Sequence, residues 1–154
     1  MIRWLALSAL LAVLDQLSKY VMTRVLVFGN GIEVTPFFNL ALVYNRGAAF
    51  SFLSSASGWQ RELFIAIALI ASGWVVYLLR RYPRQTLFCF ALSLILGGAV
   101  GNVIDRLLLG VVVDFLDFHL AGYHWPAFNI ADSAITCGAA LLIWDGLRPH
   151  KSSI

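Results

Sequence analysis

Four apolar runs divide this chain, at about residues 4–28, 63–79, 86–109 and 129–147. Each matches the roughly 17 to 25 residues a helix needs to cross a bilayer core. What remains of the 154 residues is one outer loop, 29–60, and short connections, so a single integral membrane unit spanning 1–154 is expected, with no separate soluble domain. Charged residues make up 12% of the chain, about half the share usual in soluble proteins, and 60% of residues are hydrophobic. The net charge of +3 is no sign of nucleic-acid binding, because the basic residues are dispersed. Their largest cluster, Arg80, Arg81 and Arg84, lies between two apolar runs, where topology explains it better. With four spans, Arg3, that cluster, Arg148 and Lys151 share one side, which places both termini in the cytoplasm and the loops 29–60 and 110–128 outside.

Charged side chains inside such runs need a reason, since each costs on the order of 2.5 to 3.5 kcal/mol to insert. Asp15 and Lys19 interrupt the first run at the spacing of a helical ion pair, too polar for a cleavable leader and equally readable as a packing device or a part of a site. Asp15 is expected near mid-depth. The second run holds no charge and reads as scaffold. In the third, Asn102 shares one helical face with Asp105 and Arg106, while Gly97 and Gly101 form a GxxxG pair whose default meaning is close helix packing. The first part of the outer loop, IEVTPFFNLALVYN, suggests short strands, and the NRGAAF that follows (residues 45–50) is by itself no more than a turn.

After Gly110 the chain VVVDFLDFHLAGYHWPAF reads as an interfacial stretch, with Tyr123 and Trp125 of the types found at membrane surfaces. His119 and His124 have no metal-like partner at useful spacing, so solvated or interfacial histidines are favoured over ligands. Cys89 and Cys137 sit in different spans near opposite ends, which argues for two buried packing thiols and against a disulfide. Asp132 opens the fourth run, where a helix cap is a sufficient explanation by itself.

Taken together, Asp114 and Asp132 fall on the outer side along with Asn45, Asn129 and the outward ends of the helices bearing Lys19 and Arg106. Two carboxylates held close in a dry setting share a proton, and such a pair can activate water against a peptide carbonyl. Nucleophilic catalysis fits worse, because neither cysteine is near a histidine in this layout and no serine has an evident base. A proton-coupled transporter or channel would place ionisable groups at several depths on both sides of the midplane. A purely structural subunit leaves the two aspartates unexplained.

At these residues the chain resembles the lipoprotein signal peptidases, or signal peptidase II, aspartic peptidases of the bacterial inner membrane. The resemblance rests on five blocks in order: Asp15-Gln16-Leu17-Ser18-Lys19, Asn45 to Phe50, Gly98 through Gly101-Asn102 to Asp105-Arg106, Val112-Val113-Asp114-Phe115, and Phe128 to Ser133. It implies a mainly α membrane fold of four transmembrane helices with a small extracytoplasmic β-sheet and a short interfacial helix. It also implies an endopeptidase that removes the signal peptide of prolipoproteins just before the diacylglyceryl-modified cysteine. Under it, Asp114 and Asp132 are catalytic, Asn45 and Arg106 hold substrate, and Asp15, Lys19, Asn102, Asp105 and Asn129 form a supporting polar shell. No metal or organic cofactor is implied. The expected setting is a multi-pass, monomeric protein among membrane lipids, with its site near the outer leaflet.

Overall fold

The computed structural model describes residues 1–47 and 59–148. In chain order they form helix α1 (Ile2–Val25), strands β1 (Ile32–Thr35) and β2 (Phe38–Asn45), helices α2 (Gln60–Arg81) and α3 (Thr86–Leu108), strands β3 (Val112–Leu120) and β4 (Tyr123–His124), and helix α4 (Ile130–Leu147). All four helices are long and apolar enough to cross a membrane. The short interfacial helix implied by the resemblance is absent from the described residues, and Ala48, Ala49 and Phe50 of the second motif block, like Lys151 of the basic tail, lie outside them.

The helix limits differ from the apolar runs for local reasons. α1 stops at Val25 and not Phe28, because Leu26 turns extended (φ −95°, ψ 142°) and drops into the apolar cluster under the sheet with Leu42, Val113 and Phe115. α2 starts at Gln60 and runs through Arg80 and Arg81, so the charges flanking its apolar centre belong to the helix ends. Arg61, in its first turn, reaches across to α3 and donates to the carbonyls of Arg106 (2.9 Å) and Leu107 (3.4 Å) in its last turn. α3 and α4 agree with their runs to within one residue, Leu109 and Asn129 being caps.

α3 is the central helix, with 56% of its apolar window buried against 22% or less in the others. Its glycines explain why. A Cβ on Gly97 would lie 2.7 Å from the Ser8 carbonyl of α1, one on Gly101 would meet the Asp15 carboxylate, and one on Gly98 would press into the Ala131 carbonyl of α4. Both neighbouring helices therefore approach α3 at backbone distance, which is the packing the GxxxG pair suggests. Trp4, Leu79, Cys89 and Leu92 form an apolar cluster that joins the start of α1, the end of α2 and the start of α3 at one end of the bundle.

The sheet closes the other end. Its order is β1-β2-β3-β4, antiparallel throughout. The strand-like outer loop is thus two strands, turned by Pro36-Phe37 between the paired Thr35 and Phe38. The stretch after Gly110, read only as interfacial, is mostly β3 and β4, and β3 is hydrogen-bonded to strand β2 from Phe38–Phe118 to Asn45–Val112. Gly110, at φ +76°, supplies the left-handed residue that ends α3 and lets the chain turn straight into β3.

Candidate active site

Pairing of β2 with β3 does the first part of the assembly. Val43 lies opposite Asp114 and Asn45 opposite Val112, so Asn45 and Asp114 share one face of the sheet as diagonal neighbours. The Asn45 amide donates to Asp114 Oδ2 at 3.1 Å, while its own Oδ1 accepts from the Gly47 N–H at 2.9 Å. The second part is the entry into α4. Asn129 is its N-cap and accepts from Asp132 N–H (2.9 Å), and Asp132 Oδ2 accepts from Asn129 N–H (3.3 Å), closing a capping box. Asp132 is therefore part of a helix cap, as its position suggested, but as the partner of a capping asparagine.

That cap leaves the Asn129 amide free to point inward. Its nitrogen donates to Asp114 Oδ1 at 2.7 Å, so one side chain ties the start of α4 to the carboxylate on β3. Asn102 of α3 donates to Asp132 Oδ1 at 2.8 Å and accepts from Asn129 at 3.2 Å. Asp114 and Asp132 are thus bracketed by three asparagine amides from three separate parts of the chain. Asp114 is almost completely buried (1% exposed), whereas Asp132 is partly exposed and lines the neighbouring cavity. Burial first, and then the nearby Asp132 charge, push the Asp114 carboxyl up to about 7, against the lowering effect of the Asn45 and Asn129 hydrogen bonds.

Beneath this pair lies a second polar layer built on Lys19. Its ammonium has three acceptors, Asp15 at 2.8 Å, Asp105 at 2.9 Å and Asn102 Oδ1 at 3.0 Å, which uses all of its donors. The two carboxylates in turn grip backbone. Asp15 accepts from Ala131 N–H (2.9 Å) and Asp105 from Val113 N–H (3.0 Å), the residues directly before Asp132 and Asp114. Each aspartate of the pair is therefore held through the peptide that precedes it. Asp15, placed near mid-depth by the length of its run, is corrected by this contact: it sits level with the first turn of α4.

A cavity of about 720 Å³ opens beside Asp132. Asn45, Asn102 and Arg106 line it with Asp132, and one wall is the chain from Trp125 to Phe128. Arg106 donates to the Gly47 carbonyl (3.1 Å) and to Asn102 O (3.3 Å), and its guanidinium lies 5.2 Å from the Phe64 ring centre. It thus stands at the cavity between α2, α3 and the end of β2.

All nine residues singled out in the sequence come together here. Others were given no part in the site. Gln16 donates to Asp105 (2.8 Å) and to the Gly101 carbonyl (3.1 Å), and its only signal was an amide beside Asp15 in an apolar run. Cys137, expected to be a buried packing thiol, is exposed at the cavity one turn beyond Ser133; Cys89 is buried, and both thiols are free. His124, read as merely interfacial, is paired with Asp117 at 2.9 Å and stacked on His119, contacts that only the β3–β4 pairing creates. At Asp117 burial raises the carboxyl, but hydrogen bonds from His124 and Asn39 outweigh it and hold the group below the usual range.

The family model of signal peptidase (SPase) II matches residues 7–148. The chain is 58% identical over 148 residues to the lipoprotein signal peptidase of Janthinobacterium sp. (strain Marseille), covering 96% of this chain and 90% of that one. It is 60% identical over 145 residues to the lipoprotein signal peptidase of Burkholderia vietnamiensis (strain G4 / LMG 22486), covering 94% and 87%. Among solved structures it is similar to a bacterial membrane enzyme determined by the in meso method at 1.9 Å resolution, with a TM-score of 0.84 and 34% identity over 97% of this chain and 96% of that one. With its four membrane-length helices, its small four-stranded sheet and matches along nearly all of its length, the chain belongs to the signal peptidase II family.

Proposed function

We propose that this peptidase cleaves prolipoproteins just before the diacylglyceryl-modified cysteine, and that Asp114 and Asp132 are its catalytic pair. The observation that carries the assignment is the bracketing of both carboxylates by Asn45, Asn102 and Asn129, with Asp132 at the wall of the adjoining cavity. The raised carboxyl of Asp114 holds the shared proton, and Asp132, at the cavity wall, is the ionised partner. Asp132 takes a proton from a water whose oxygen adds to the scissile carbonyl carbon, while Asp114 donates its proton toward the carbonyl oxygen. Collapse of the tetrahedral intermediate breaks the C–N bond as Asp132 gives the proton it took from water to the leaving nitrogen of the cysteine and Asp114 takes one back from a hydroxyl of the intermediate, which restores the pair. Arg106 and Asn45 position the substrate backbone, and the shell of Asp15, Lys19, Asn102, Asp105 and Asn129 holds the pair. One chain carries every group used, so a monomer suffices.

The proton on Asp114 gives a test with a definite sign. The folded state keeps that proton up to about pH 7, whereas an unfolded aspartate loses it near 3.8, so the associated stability is fully present below about pH 4 and is lost as pH rises through 7. Cleavage of a lipidated precursor by purified protein should therefore have an alkaline limb centred near pH 7, where the pair loses its shared proton. Thermal stability of the wild type should fall over the same range, and Asp114→Asn should flatten that fall. No cleavage at any pH would overturn the function, and a rate still rising above pH 8 would overturn the shared proton.

Both termini lie in the cytoplasm on this reading, with the pair near the outer leaflet among membrane lipids. It is supported by the bundle end that gathers Trp4, Leu79 and Cys89 opposite the sheet, together with the arginines at that end. Single-cysteine labelling in a background lacking Cys89 and Cys137 should give external reaction at Asn30 and none at Arg84. The reverse pattern would invert the topology.

A further inference from the structure

The cavity wall from Trp125 to Phe128 is the continuation of β4, and it is sewn to β3 by backbone hydrogen bonds. Trp125 N–H donates to the Phe118 carbonyl at 2.7 Å, and Phe128 exchanges bonds with Leu116 at 2.9 and 3.1 Å. Pro126 and Ala127 between them make no such backbone bond among the described residues. The direction in which the wall leaves β3 is then set at its head, residue 124. There the chain has just come round a tight turn at Ala121 (φ +51°) and Gly122 (φ +83°), and β4 itself is two residues long. Between that turn and Trp125 the strand is held by two backbone pairs, His119 with His124 and Leu120 with Tyr123.

Side chains strengthen it as well: Phe128, at the far end of the wall, stacks on Phe118 with centroids 5.8 Å apart, and the head is held through Asp117. His124 Nδ1 lies 2.9 Å from both carboxylate oxygens of Asp117, and Asn39 of β2 donates to Asp117 Oδ2 at 3.0 Å. The His124 ring stacks on His119, its partner across the strands, with centroids 4.9 Å apart. Asp117 is thus the knot that joins β2, β3 and the head of the wall, and neither it nor His124 lines the cavity. Its oxygens are engaged by Asn39 and His124, away from the Asp114–Asp132 pair.

We propose that Asp117, with His124 and Asn39, is a positioning unit for the substrate cavity: it fixes the Trp125–Phe128 wall and thereby sets how tightly the precursor is held, without entering the chemistry. The inference rests on reading that cavity as the substrate site. A hydrogen bond lost from a half-exposed histidine is worth a modest factor, so His124→Phe, which keeps a ring to stack on His119 but loses the donor, should raise KM for a lipidated precursor about fivefold. kcat should stay within about twofold. His124→Asn, whose amide nitrogen stands where Nδ1 stood, should restore most of the KM. Asn39→Ala, which leaves His124 in place, should raise KM in the same direction by a smaller factor. Equilibrium binding of the precursor to the Asp114→Asn protein, with and without His124→Phe, should show the same fivefold weakening. If Asp114→Asn itself turns over normally the dyad fails, while this binding comparison still reports on the wall. Unchanged KM and binding in His124→Phe, equal behaviour of His124→Asn and His124→Phe, or a fall in kcat at constant KM would each overturn the proposal.

Discussion

Purified Asp114→Asn and Asp132→Asn proteins should each lose cleavage of a lipidated precursor by on the order of 10³-fold or more, the scale of concerted acid and base work. Asparagine is nearly the size of aspartate, yet it can neither take a proton from water nor share one with a partner. Both variants should fold. Asn in place of Asp114 can keep a bond to Asn45 or Asn129 through its carbonyl oxygen, and Asn in place of Asp132 can still accept from either Asn129 N–H or Asn102. Because the two groups act as a unit, the double variant should be hardly slower than either single one. Cleavage and thermal unfolding measured on the same detergent preparations make the comparison clean. Substantial turnover by either folded single variant would remove the pair from the mechanism, and a rate in the double variant far below both singles would make the two groups independent.

The second large effect is expected at Lys19. Lys19→Met keeps the length and packing of the side chain but leaves Asp15 and Asp105 buried at 0% and 2% exposure with no cation between them. Breaking a buried ionic group by removing one partner costs roughly 3 to 5 kcal/mol. For a chain of this size that lowers the unfolding temperature by about 10 °C. Activity should fall as well, since Lys19 also holds the Asn102 carbonyl oxygen and so keeps that amide aimed at Asp132. Replacing Asp105 by Asn in the Lys19→Met background removes one of the two stranded charges and should recover part of the stability. Thermal unfolding in detergent decides the matter, and wild-type stability of Lys19→Met would show that the layer under Asp114 and Asp132 is held by something other than this ion cluster.

These two expectations depend on different kinds of information. The number of spans, their approximate limits and the clustering of arginines at one end are local properties of the chain, because a bilayer demands a continuous apolar run whatever its neighbours do. The ion pair of Asp15 with Lys19 and the close packing at Gly97 and Gly101 are likewise legible, since helical spacing alone puts those groups on one face. Candidate residues could be named because charge and amides in apolar runs are conspicuous, and the resemblance gave them roles.

Their connections could not be named. Asn45 meets Asp114 only because β2 pairs with β3 across the whole of α2 and α3, and a register slipped by one residue would put the two side chains on different faces. Asp15 reaches the peptide before Asp132 at a separation of 116 residues. Over its whole length α4 shows almost no amphipathic pattern, so Cys137 on the cavity face looked no different from Ala134 and Gly138 on the packed face. His124 looked solitary until the β3–β4 turn set it against Asp117. Sequence by itself determined which segments enter the membrane and which polar groups must find partners there, because desolvation acts on each residue where it stands. Tertiary structure alone decided which partner each group found, because hydrogen bonds are short and directional and their geometry is set by strand register and helix approach.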